Sequence, residues 1–276
     1  MRLAGLISQP SVLFKLGSSL ERLDKQWILN FTENKLYIIV LNSTLHTRVK
    51  VWTGIEIEAM FSSYLVQSIA GNRIWIQLVG EHLTRALKSS QSSQHVSMKL
   101  TKKGGLPVLS LVINNQTKSG KYVQLVQDIP VRVLPPIIAE ELNEPSLPIP
   151  NLVIQLPQLH NLRRMYDRIK HISNNLTIFG NSNGNLNFTM ITETLTSQIE
   201  FNNLNVSDSI NNHPTKVCVD TRDFGKFIQT YLIDPTKIIC YFFSDHGLKL
   251  ETFLDYSMEG NSPVITVTYY IPLKQD

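Results

Sequence analysis

The stretch Pro157-Gln-Leu-His-Asn-Leu-Arg-Arg-Met-Tyr-Asp-Arg-Ile-Lys-His-Ile172 decides how the rest of the chain is read. At 100° per residue, Leu159, Leu162, Met165, Tyr166, Ile169 and Ile172 fall on one side of a helix. His160, Arg163, Arg164, Arg168 and His171 fall on the other, with Asp167 the one acid among them. The apolar stripe must pack on a sheet, which leaves the opposite stripe exposed and cationic.

Three further helical patterns follow the same rule. In 10–24, Leu13, Leu16, Leu20 and Leu23 face inward and Lys15 and Arg22 outward. In 80–91, Leu83, Ala86 and Leu87 face inward, with Arg85 and Lys88 out. In 221–232, Phe224, Phe227, Ile228 and Tyr231 face inward, with Arg222 and Lys226 out. With Lys170, these four helices hold ten Lys/Arg against five acids: Glu21, Asp24, Glu81, Asp167 and Asp223. The chain's net charge is +4, so the whole positive excess lies on the predicted helices. A cationic surface without base-reading motifs suits phosphate contact without sequence choice. Nothing resembles a zinc finger, a helix-turn-helix or an aromatic RNA-binding motif.

Between the helices the apolar residues alternate as in strands. Strands are predicted near 2–8, 26–31, 34–41, 47–53, 73–79, 95–102, 106–114 and 120–134. In the second half they fall near 150–156, 174–180, 184–192, 195–202, 214–220, 236–243, 247–254 and 262–271. Both halves share one order: strand, helix, strands, helix, three strands. That is an internal repeat of elements. Leu134-Pro135-Pro136 and the clustered acids before Pro145 mark a connector. The expected organisation is an N-terminal domain over 1–134, a connector over 135–149 and a C-terminal domain over 150–276.

The chain's 276 residues suit two domains, and 42% apolar against 17% charged residues suits packed cores. Cys218 and Cys240 stand far apart with no Cys/His cluster, which argues against disulfides and structural zinc. The N-terminal apolar run is too short for a signal peptide, and no stretch approaches the ~20 apolar residues of a membrane span. A soluble intracellular protein is therefore expected.

No catalytic constellation is legible. Gly180-Asn-Ser-Asn-Gly184-Asn lacks the lysine of a phosphate loop and reads as a hairpin turn. Ser244-Asp245-His246-Gly247 and Lys102-Lys103-Gly104-Gly105 are turn chemistry as well. The expectation is a protein with no catalytic residues, no metal and no cofactor; a hydrolase or nuclease is the reading from another class.

Several stretches carry a family resemblance by their order and spacing: Leu83-Thr-Arg-Ala-Leu-Lys88, Gln127-Asp-Ile-Pro-Val-Arg-Val-Leu-Pro135, Leu156-Pro-Gln-Leu159, Lys170-His-Ile-Ser-Asn-Asn-Leu176 and Tyr270-Ile-Pro272. With two halves of strands and paired helices, the chain resembles eukaryotic sliding clamps of the proliferating-cell-nuclear-antigen type. It is similar above all to the Hus subunit of the nine-one-one checkpoint clamp.

The resemblance implies an α+β DNA-clamp fold, ring-forming, with two similar domains each carrying two helices packed on antiparallel sheets. It implies a nuclear, non-catalytic subunit of a heterotrimeric ring with two other Rad-type clamp subunits. An ATP-dependent clamp loader would place that ring on double-stranded DNA at lesions, where it would recruit checkpoint and repair client proteins. A homotrimeric replication clamp is the nearest alternative. The DNA-binding candidates are Lys15, Arg22, Arg85, Lys88, Arg163, Arg164, Arg168, Arg222 and Lys226.

Closing such a ring joins edge strands. Two edges are readable. Lys121–Val133 alternates and contains Pro130, which argues for an edge. Leu195–Phe201 alternates apolar and polar residues. The interface candidates are Tyr122, Val123, Gln124, Leu125 and Val126 on the first, and Thr196, Gln198, Ile199, Glu200 and Phe201 on the second.

Overall fold

The computed structural model describes residues 1–41, 48–91, 93, 96–116, 122–135, 142–207, 212–255 and 264–274. Compact packing divides the chain into two units. Unit 1 comprises Met1–Leu41, Trp52–Glu144 and Asp255–Ile265; unit 2 comprises Asn42–Val51, Pro145–Leu254 and Thr266–Asp276. The protein is α+β, with mostly antiparallel sheets. No helix of the described residues is long and apolar enough to cross a membrane.

In unit 1, strands β5 (Phe61–Gln67), β1 (Arg2–Ile7), β7 (Val96–Lys103), β8 (Leu106–Gln116) and β9 (Tyr122–Pro130) form a sheet in that spatial order. A second run is β10 (Arg132–Val133), β6 (Ile74–Val79), β2 (Gln26–Phe31), β3 (Lys35–Leu41) and β4 (Lys50–Glu56). Gly104 and Gly105 both have positive φ and make the two-residue turn from β7 to β8.

Helix α1 (Pro10–Leu20) starts with Pro10, whose missing N–H is one the first turn leaves unpaired anyway. It buries Leu13, Leu16 and Leu20. One turn, α2, spans Ile57–Met60, and α3 spans Gly80–Lys88 and packs beside α1. Glycines set how closely these pieces approach. A Cβ on Gly80 would stand 2.1 Å from the fully buried Trp27 indole, and one on Gly17 2.9 Å from Thr84 Oγ1.

In unit 2, β14 (Thr196–Phe201), β13 (Leu186–Ile191), β12 (Asn175–Gly180) and β15 (Thr215–Asp220) form one sheet. The second run is β18 (Val264–Pro272), β17 (Gly247–Asp255), β16 (Lys237–Phe243) and β11 (Leu152–Gln155). Asn181 Oδ1 accepts from the backbone N–H groups of Asn183 and Asn185, and Gly184 has φ +76°; this is the β12–β13 hairpin turn. Helix α4 (Leu159–Ile169) buries Leu159, Leu162, Met165 and Ile169.

Helix α5 (Thr221–Ile228) is capped by Asp220, whose side chain accepts from the Arg222 N–H, and continues as a 3-10 turn over Gln229–Ile233. Its core is a chain of rings: Phe188 to Phe224 at 5.7 Å, Phe224 to Phe227 at 5.7 Å, and Phe227 to Tyr269 at 5.5 Å. Each buried ring stabilises the unit by about 1.5–3 kcal/mol.

Three expectations are corrected. The strand read over 120–134 is two strands, because β9 stops at Pro130 and β10 pairs instead with β6. The helices are shorter than their patterns, so Arg22 lies in the turn after α1 and Lys170 caps α4. Strand β5 has no counterpart among the predicted elements. Its apolar residues Phe61, Tyr64, Leu65 and Val66 break alternation, and the β1 register shifts between Leu6 and Ile7 at its start.

Candidate nucleic-acid interface

Each unit carries its own set of helix cations. In unit 1, Lys15 on α1 and Arg85 and Lys88 on α3 are exposed, and Arg22 is exposed in the turn beyond α1. Arg85 pairs with Glu81 one turn back, so part of its charge is cancelled. Lys15 and Lys88 have no ion-pair partner among the described residues.

In unit 2, Arg163, Arg164 and Arg168 are exposed on α4. Arg164 and Arg168 lie one turn apart and have no acid partner among the described residues. Arg163 is held differently. Its guanidinium carbon sits 3.8 Å from the Tyr231 ring centroid, and its Nε lies 3.9 Å from Asp167. Lys170 donates to Asp167 at 2.8 Å and holds that carboxyl below the usual carboxylate range. On α5, Arg222 is exposed, whereas Lys226 is half-buried.

Asp223 changes the balance. It is buried, and burial, reinforced by the neighbouring Asp220, pushes its carboxyl above the ordinary range. One of the five helix acids is therefore withdrawn from the surface. The sequence also gave no sign that Tyr231 anchors Arg163, since the partners are far apart along the chain.

The two candidate interface strands are both terminal strands of their sheets: β9 in unit 1 and β14 in unit 2. On β9, Val123, Leu125 and Val126 are 50%, 37% and 46% exposed, and Gln124 is exposed beside them. Consecutive exposed residues mean that both faces of this edge are bare. The Tyr122 side chain lies outside the described residues. On β14, Thr196, Gln198 and Glu200 are exposed and Ile199 and Phe201 half-buried; Gln198 donates to Glu200 at 2.6 Å. No group of three or more His, Cys, Asp or Glu able to hold a metal occurs among the described residues. Of the connector's acids, Glu140 and Glu141 lie outside the described residues.

Mostly antiparallel sheets with few helices, helix cations without acid partners among the described residues, and β9 and β14 at sheet ends make an α+β protein compatible with a clamp-like fold. The family model of the Hus1-like protein matches residues 1–275, and the chain belongs to that family. It is 28% identical to the human checkpoint protein HUS1 over 237 residues, covering 82% of this chain and 84% of that protein. It is 28% identical over 281 residues to the checkpoint protein hus1 homolog of Dictyostelium discoideum, covering 99% and 98%. The checkpoint protein hus1 of Schizosaccharomyces pombe is 27% identical over 291 residues, covering 98% of each. This membership favours a checkpoint clamp subunit over a homotrimeric replication clamp.

Proposed function

We propose that this chain is the Hus-type subunit of a three-chain checkpoint clamp. Its β9 and β14 edges would pair with two unlike Rad-type subunits, and its helix cations would face encircled DNA. The observation that carries the reading is the contrast between the two open edges. The β9 edge presents Val123, Leu125 and Val126, while β14 presents Thr196, Gln198 and Glu200. In a ring of like copies the apolar β9 edge would have to pair with the polar β14 edge, a mismatch that favours unlike partners.

In this reading the ring is topologically retained, so each phosphate contact can stay weak and the clamp can slide. Lys15, Lys88, Arg164, Arg168 and Arg222, which have no acid partner among the described residues, would supply those contacts, with Arg22, Arg85, Arg163 and Lys226 beside them. The chain itself is non-catalytic, nuclear and free of metal and cofactor; a separate ATP-dependent loader opens the ring at damaged DNA. Checkpoint and repair proteins dock on its outer surface. A cleft of about 180 Å³ in unit 2, lined by Pro145, Leu147, Phe243, Leu248, Tyr270 and Ile271 together with Arg48, Lys50 and His246, would receive such a client peptide.

Loading the assembled ring on nicked circular DNA tests the reading. The bound ring should survive a high-salt wash on the circle and be lost once the circle is linearised. Equal retention on both forms would point to binding without encirclement.

A further inference from the structure

Strand β5 closes the five-stranded sheet of unit 1 at the end opposite β9. Its inner side pairs with β1 from Arg2↔Gln67 to Leu6↔Ser63. No strand among the described residues pairs with its outer side. Natural edge strands are ordinarily guarded by lysine, proline or a covering segment. Phe61-Ser-Ser-Tyr-Leu-Val-Gln67 carries neither charge nor proline, and Leu65 is 44% exposed. Seven uncharged residues with a free hydrogen-bonding edge are a template for another strand.

Past Gln67 the chain turns through Ser68, Ile69 and Ala70, which form one wall of a cavity of about 760 Å³. Ile74, Trp75, Val133, Leu134 and Pro135 supply further apolar lining. Among the described residues the single charged side chain in that lining is Arg73, which is exposed and has no ion-pair partner among them. Arg2, opposite Gln67 on β1, is likewise exposed without an acid partner among the described residues. One end of the bare strand therefore adjoins an apolar hole and two guanidiniums without an acid partner among the described residues, and no carboxylate of the described residues lines that hole.

We propose that β5 and this cavity form a strand-addition site for an extended partner segment with an apolar side chain followed by acidic residues. The segment's main chain continues the sheet beyond β5, its apolar side chain enters the cavity, and its carboxylates meet Arg73 and Arg2. Main-chain pairing gives affinity, while the cavity and the charges select the sequence. This site uses neither β9, β14 nor the helix cations, so it stands or falls independently of the ring.

The test is fluorescence anisotropy with the full chain and a synthetic peptide of alternating valine and threonine ending in leucine-aspartate-aspartate. A second peptide ends in leucine-lysine-lysine. The acidic peptide should bind about tenfold more tightly, and Arg73→Glu should erase or reverse that preference. Two further acidic peptides carry N-methyl groups on alternate residues, in the two possible phases. Only one edge of an added strand faces β5, so one phase should retain binding and the other lose it. No binding, indifference to end charge, or equal behaviour of both methylated peptides would overturn the proposal. So would displacement by the peptide of a β5-mediated dimer, which would make a second copy the occupant.

Discussion

The Arg163 guanidinium carbon sits over the Tyr231 ring, 3.8 Å from its centroid. A cation on a proposed DNA-facing helix would ordinarily be free; this one is fixed within unit 2 to the 3-10 turn after α5. Cation–π contacts at exposed sites stabilise by about 0.5–1 kcal/mol. Arg163→Ala and Tyr231→Leu should therefore show a coupling of about 0.5 kcal/mol in urea unfolding, by a double-mutant cycle. Additive losses would mean that the contact contributes nothing.

Free and engaged cations should differ on DNA. Arg164→Glu and Arg168→Glu should weaken binding of the assembled ring in all sequences alike. Each should reduce the salt slope by about one. Arg85, already paired with Glu81, should matter less. Anisotropy titrations at several salt concentrations check both statements, and a sequence-dependent loss would contradict them.

Backbone approach at Gly80 is set by Trp27. An added Cβ would stand 2.1 Å from the indole, whereas one on Gly54 would meet nothing closer than 3.7 Å. Gly80→Ala should destabilise by about 1–3 kcal/mol through overpacking. Gly54→Ala, in the middle of β4, should be neutral or mildly stabilising. Thermal unfolding of both variants checks the contrast.

Asp223 gives a pH signature. Its carboxyl is raised in the folded state, by burial first and by Asp220 second. The unfolded chain then ionises at lower pH than the native one, so stability falls as pH rises from the ordinary carboxylate value to the raised one. Below that window the group costs nothing. Asp223→Asn should stabilise the chain at pH 7 and leave it unchanged near pH 3, measured by denaturant midpoints. A gain of equal size at both pH values would assign the effect to packing.

How much was legible follows from what each feature depends on. Helix α4 was readable because Leu159, Leu162, Met165 and Ile169 recur at helical spacing and all are buried. The β9 and β14 edges were readable because proline and polar alternation are local signals. Strand β5 was not: a bulge at its start and an exposed outer face leave no clean alternation. The Arg163–Tyr231 stack and the burial of Asp223 depend on how α4 and α5 pack, which no single helix's periodicity contains.

Edge chemistry leads to a mutational test of assembly. Leu125→Lys places a charge on the apolar β9 edge, which is exposed in the free chain. The isolated chain should keep its stability within about 0.5 kcal/mol, as exposed substitutions do. Ring formation should fail at concentrations where the parent assembles, as read by size exclusion. Loss of stability in the isolated chain would show that Leu125 serves the fold instead.

Light scattering on the full chain, alone and with two Rad-type clamp subunits, tests the central claim most directly. The chain alone should run at its own mass of 31.4 kDa or associate only weakly, and the mixture should give one stable complex with one copy of each chain. A stable complex of three copies of this chain at micromolar concentration, indifferent to the other subunits, would contradict it.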